Sequence, residues 1–150
     1  MEKKRLSVGF ADLARFNAAT RDLSDEDAVA LLEIAFRTAG DAVVAHGGQI
    51  RKYVGDALLF TAPDAVEAAT AAREIVDGFG RDMEGYTIRF RVGMATGDVV
   101  IAEIGHPSFR SVDIFGDTVN RAAQLVGNAR DEPSGIALCP ETQRLVGGGS

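Results

Sequence analysis

A single cysteine, Cys139, stands in the 150 residues, which excludes an intrachain disulfide and fits a reducing compartment. No run approaches the roughly 18 apolar residues of a membrane span. The first residues show none of the patterning of a secretory signal. These absences predict a cytoplasmic domain without membrane contact. No basic stripe is present either, because 16 Lys and Arg face 22 Asp and Glu for a net charge of −6. That argues against a nucleic-acid partner gripped through its phosphates. The short Lys3-Lys4-Arg5 cluster reads as a solvated lead-in. His46 and His106 are too far apart to suggest a zinc pair, and Cys139 reads as core. An acidic chain that handles a polyanion does so through metal ions.

With 46% hydrophobic and 25% charged residues, the chain reads as one globular domain over 1–150, structured over about 6–146 with a flexible tail at 147–150. "LSVGFADL" (6–13) is a strand candidate ending on Asp12. A long amphipathic helix follows, started by a Ser24/Asp27 capping-box pattern and stopped by Gly47-Gly48. Residues 49–61 form a hairpin with its corner at Gly55-Asp56, and a second helix runs from Asp64 to Gly78. "YTIRFRVGMATG" alternates Ile88, Phe90, Val92 and Met94 against Arg89 and Arg91. A turn is predicted at Thr96-Gly97-Asp98, then the strand "DVVIAEIG", the polar excursion "HPSFRS" and the short strand "VDIFG". Asp117 is the predicted N-cap of a helix over "DTVNRAAQLVGNA"; a last strand, "GIALC", and a closing helical turn complete the order. Hairpins mixed with helices predict an α+β fold: a ferredoxin-like split βαβ core, with helices packed on a mixed, mainly antiparallel sheet.

Asp12, Asp56 and Asp113 all fall at strand ends, where sites are commonly built. Two carboxylates converging there would suit Mg²⁺ or Mn²⁺, hard cations that take oxygen ligands and leave positions open for phosphate. Taken singly, each aspartate has a plain reading as a cap, a turn residue or a solvated strand end.

"FADLARFN", "HGGQIRKYVGDALLF", "RVGMATGDVVIAEIG" and "VDIFGDTVNRAAQL", in this order and spacing, resemble the class III nucleotide cyclases, the adenylyl and guanylyl cyclase catalytic domain. The resemblance runs from about residue 6 to 146. It implies that Asp12 and Asp56 bind two Mg²⁺ or Mn²⁺ ions per site, helped by the backbone carbonyl of Leu13. It implies that Lys52 and Asp113 read the purine and that Asn120 orients the ribose. The turn Ala14, Arg15, Phe16, Asn17 would offer backbone N–H groups to the terminal phosphates. A carboxylate only accepts and an ammonium only donates, so Asp113 with Lys52 complements adenine and mismatches guanine. ATP is therefore the implied substrate and cyclic AMP with pyrophosphate the implied products. The family's sites lie between two chains, so a homodimer with shared sites is implied, with Asp56 and Lys52 of one hairpin serving different sites.

Three features depart from the family pattern. Gln124 stands where an arginine is usual, four residues after Asn120, and Arg121, about one turn back, is a candidate substitute. Asp98 stands where some relatives carry a phosphate-meeting arginine. The further strands that bring a lysine to the triphosphate are not within these residues. A second reading follows from them, a dimerising nucleotide-binding regulatory domain without useful turnover. The Gly-Gly-Asp/Glu-Glu-Phe signature of diguanylate cyclases is absent, which argues against another palm-like phosphotransfer enzyme.

Overall fold

The computed structural model describes residues 1–83 and 85–147. In chain order the elements are β1 (Glu2–Ala14), α1 (Phe16–Ala19), α2 (Asp25–Ala45), β2 (Gln49–Val54), β3 (Ala57–Ala62), α3 (Ala65–Gly78), β4 (Gly80–Met83), β5 (Tyr86–His106), β6 (Phe109–Phe115), α4 (Asp117–Ala129), β7 (Ile136–Leu138) and α5 (Pro140–Gly147). The sheet runs β2-β3-β1-β5-β4, with β6 and β7 also pairing along β5. All pairings are antiparallel except that of β7 with β5. This is the α+β, mainly antiparallel arrangement predicted.

Residue alternation along β1 and β5 sends side chains to two separate cores. Ala11, Leu13, Ile88, Phe90, Val92 and Met94 pack under α2 and α3, together with Phe60 and Ile75. Leu6, Val8, Leu59, Ala95 and Val99 form a second cluster with Ala122 of α4 and Cys139. Asp12 lies on the same side as Leu6, Val8 and Phe10, two residues beyond Phe10. It therefore continues an apolar row into a polar rim beside α4.

The predicted starts of α2 and α3 hold. Ser24 accepts the Asp27 N–H at 3.1 Å, and Asp64 accepts those of Val66 and Glu67. Gly55, at φ 59, makes the corner between β2 and β3. Five expectations need correction. Residues 96–98 make no turn: β5 is continuous over 21 residues and pairs with β1 throughout that stretch. Gly97 serves helix approach instead, since a Cβ there would sit 2.6 Å from the Thr118 hydroxyl. Lys3, Lys4 and Arg5 are not a lead-in but part of β1, paired with 98–100. The "HPSFRS" stretch is a hairpin corner, with β6 beginning at Phe109. The N-cap of α4 is Gly116, at φ 132, and Asp117 is the first helical residue. Gly147, predicted to begin a tail, ends α5; residues 148–150 lie outside the described residues.

Candidate active site

Register brings the first cluster together. Asp12 of β1 stands opposite Ala57 of β3 on one side and Arg91 of β5 on the other. The Leu13 N–H donates to the Asp56 carbonyl at 3.2 Å, fastening the β2–β3 corner to the end of β1. Both carboxylates then line one cavity of about 310 Å³ with Leu13, Ala14, Arg15, Phe16 and Asn17, and with Arg91, Val126 and Arg130.

The electrostatics of this cavity are unusual for a carboxylate. The pKa of Asp12 is pushed up from 3.8 to about 6. Burial is the largest cause, followed by the neighbouring charge of Asp56 and a hydrogen bond between the two side chains. Arg130 pulls in the opposite direction. Two carboxyl groups that raise one another's affinity for a proton in one cavity are a donor set that suits a hard divalent cation, which would neutralise both. No cluster of three or more His, Cys, Asp or Glu side chains suited to a metal occurs among the described residues. The acidic side chains lining the cavity are therefore two, Asp12 and Asp56.

A second cluster lies on β2 and β6. Lys52 Nζ donates to Asp113 Oδ2 at 2.9 Å, and Asp113 Oδ1 accepts the Ile114 N–H at 2.7 Å. The lysine side chain is 38% exposed and the aspartate 19%, so a ligand can reach the pair from solvent. Lys52 thus pairs with Asp113, while Asp56, four residues on, turns to Asp12. Neither Lys52 nor Asp113 lines the carboxylate cavity.

A third group sits on α4, which packs Ala122, Val126 and Ala129 against the sheet and leaves Asn120 and Gln124 exposed one turn apart. Gly93 makes this packing possible, because a Cβ there would meet the Ala122 carbonyl at 2.3 Å and the Val126 nitrogen at 2.6 Å. Arg121 lines a different, small cavity with Ala95, Thr96, Asp117 and Thr118. Asp98 faces solvent, 3.8 Å from Lys3 Nζ. The sequence reading missed two residues, Arg91 and Arg130. For Arg91 a signal existed, the polar side of an alternating strand; that it would stand across from Asp12 depends on register, which no local pattern shows.

Residues 1–148 match the family described as the adenylate and guanylate cyclase catalytic domain. An adenylate cyclase of Streptomyces coelicolor is 38% identical over 86% of this chain and 31% of its own length. One of Streptomyces griseus is 36% identical over 86% of this chain and 30% of its own. The chain thus spans about a third of these relatives. Among solved structures, a bacterial light-regulated adenylyl cyclase superposes with a TM-score of 0.86, at 20% identity over 96% of this chain and 45% of the other. The adenylyl cyclase CyaB from P. aeruginosa gives 0.80, at 22% identity over 98% and 83%. The match over nearly every residue, with the same α+β fold, shows that the chain belongs to the adenylate and guanylate cyclase catalytic domain family.

Proposed function

We propose that this domain is the catalytic unit of a cytoplasmic adenylyl cyclase, converting ATP to 3′,5′-cyclic AMP and pyrophosphate at sites shared between two copies of the chain. The observation that carries this reading is the Lys52–Asp113 pair, one donor held 2.9 Å from one acceptor. Adenine presents an acceptor at N1 and a donor at N6, which satisfies both side chains. Guanine would set donor against donor and acceptor against acceptor, at about 1–3 kcal/mol for each buried group left unpaired. The Streptomyces relatives named adenylate cyclases agree with this choice.

Asp12 and Asp56, with the Leu13 carbonyl, would hold two Mg²⁺ or Mn²⁺ ions. These would supply charge neutralisation and a template for the attacking and leaving oxygens. The protein's own contribution is positioning. Ala14 to Asn17 border the carboxylate cavity, where their N–H groups would meet the terminal phosphates. Asn120 would hold the ribose so that its 3′-oxygen is aligned with the α-phosphorus. The new bond joins that oxygen to the α-phosphorus, the bond from the α-phosphorus to the oxygen it shares with the β-phosphate breaks so that pyrophosphate leaves, and the 3′-hydroxyl proton passes to water. Because the base-reading pair and the carboxylate cavity are separate in one chain, one hairpin of each copy would contribute Asp56 to one site and Lys52 to the other.

Gln124 favours a second reading, a nucleotide-binding dimer with little turnover. It is exposed where a cation is usual, and Arg121 faces another cavity. The two readings separate on cyclic AMP formation from ATP with Mn²⁺. Product above that of Asp12→Ala supports the cyclase; binding of ATP with product no higher than that variant supports the regulatory domain.

A further inference from the structure

Lys52 and Asp113 meet although their strands are not neighbours in the sheet. Between β2 and β6 run β3, β1 and β5, and four spacings of about 4.8 Å would hold the two strands roughly 19 Å apart in a flat sheet. The 2.9 Å contact of Lys52 with Asp113 therefore depends on how the sheet curls and on how β2 aims the lysine.

β2 is irregular at this point. Ile50 stands opposite Phe60 and Lys52 opposite Leu59, so Arg51 has no partner on β3. This is a β-bulge on an edge strand, which bends the strand and increases its twist. Residues three apart in a regular strand point to opposite faces, yet Ile50 and Tyr53 both line the groove beside Phe36 and Gly40 of α2. Tyr53 stacks on Phe36 there, with ring centroids 4.7 Å apart. Arg51 and Lys52 are left together on the other face. In an unbulged pairing from Ile50 onward, Lys52 would stand opposite Leu58, in the core cluster beneath α2 and α3.

The Arg51 side chain fastens the bulge. Its Nε donates to the Thr61 hydroxyl at 2.9 Å, and Thr61, buried on β3, shares the face of Leu59. Burial holds the Arg51 pKa below the usual arginine value, with the charge of Glu2 pulling the other way. Glu2 of β1 stands opposite Ile101 of β5, next to Ala102, the partner of Asp113. Arg51 thus joins the bulge to β3 and, through charge, to the part of the sheet that carries Asp113.

We propose that Arg51 is a positioning residue for base recognition: its bulge, fastened to Thr61, aims Lys52 at Asp113 and so sets the preference for adenine over guanine. The inference rests on reading the Lys52–Asp113 pair as the purine contact. Arg51 touches no base itself. A misaimed lysine loses its hydrogen bond to the base, which changes affinity by about fivefold or more.

The test measures binding of α,β-methylene-ATP and α,β-methylene-GTP by calorimetry with Mn²⁺ present; these analogues keep the base and cannot release pyrophosphate. Arg51→Met and Thr61→Val should each lower the preference for the adenine analogue by about fivefold or more. Arg51→Lys, which can still donate to Thr61, should keep part of it. Deletion of Arg51 leaves Lys52 opposite Leu59 without the bulge and should cost the same preference. In a Lys52→Ala background Arg51→Met should change nothing, because the arginine acts through the lysine. The proposal is overturned if Arg51→Met, or a folded deletion variant, keeps the parental preference within about twofold. It is overturned equally if Arg51→Met lowers the preference as much without Lys52 as with it. A parent protein that binds both analogues equally overturns the adenine reading and this proposal with it, and neither result depends on whether cyclic AMP is made.

Discussion

Replacing Asp12 by asparagine should stabilise the metal-free protein, and the gain should depend on pH in one direction only. In the folded chain the Asp12 pKa is about 6, against 3.8 as the ordinary value. A carboxyl whose pKa is raised by folding binds more protons in the folded state than in the unfolded one between these two values. Stability therefore falls as pH rises from about 4 to above 6. A shift of about two units corresponds to at most about 3 kcal/mol at pH 7; because Asp12 is only half-buried, solvent screening brings this to about 1–2 kcal/mol, or roughly 2–8 °C in melting temperature for a domain of this size. The asparagine keeps the shape and the hydrogen bond to Asp56 without the second charge. Thermal unfolding in EDTA should show the variant and the parent converging near pH 4 and separating toward pH 7, with the variant more stable. Excess Mn²⁺ should raise the parent and leave the variant almost unmoved, since a cation held by both carboxylates stabilises only the folded state. His46 has its pKa raised above 6.5 by hydrogen bonds to Glu67 and Glu74. It is common to both proteins and cancels in the difference. A gap between variant and parent that is constant from pH 4 to 8 would refute the claim that Asp12 and Asp56 share one desolvated, mutually repulsive site.

Further outcomes follow from the same geometry. His46 should titrate above 6.5 by NMR, and its contribution to stability, complete below 6.5, should be lost as pH rises through that raised value. Gly93→Ala should displace α4, because the new Cβ would meet main-chain atoms at 2.3 and 2.6 Å. A loss of about 2 kcal/mol or more in denaturant unfolding, together with lost cyclic AMP formation, is expected. Gln124→Arg should raise turnover by about 10²-fold if phosphate charge goes unmet there, and an unchanged rate would mean that another cation already serves. Asp113→Ala should erode the preference for ATP over GTP, by about 5- to 150-fold in kcat/KM.

Much of this arrangement was legible in the chain because it is written in local chemistry. Ser24 and Asp64 cap helices through their own side chains, and Gly55 marks a corner by its backbone freedom. The alternation of Ile88, Phe90, Val92 and Met94 announced a buried strand face, and all four are fully buried. What local chemistry misrepresented were residues whose role is set across space. Gly97 looks like a turn but is small because Thr118 crosses it. Lys3, Lys4 and Arg5 look like a solvated leader, yet β5 continues far enough to pair with them, and Arg5 reaches Glu141 at 2.8 Å. The site divides in the same way. Asp12, Asp56, Asp113 and Lys52 stand in recognisable stretches, whereas that Arg91 and Arg130 meet Asp12 and Asp56 in one cavity is set only by strand register and the packing of α4.

The central claim, that the carboxylate cavity and the Lys52–Asp113 pair are halves of one adenylyl cyclase site contributed by two chains, is tested most directly by complementation. Asp56→Ala and Lys52→Ala chains are each inactive alone on this account. Mixed in equal amounts and allowed to exchange, they should recover about a quarter of the parental cyclic AMP rate, because half the dimers are mixed and each holds one intact site of two. A demonstrably mixed population that makes no more cyclic AMP than either variant alone would contradict shared sites.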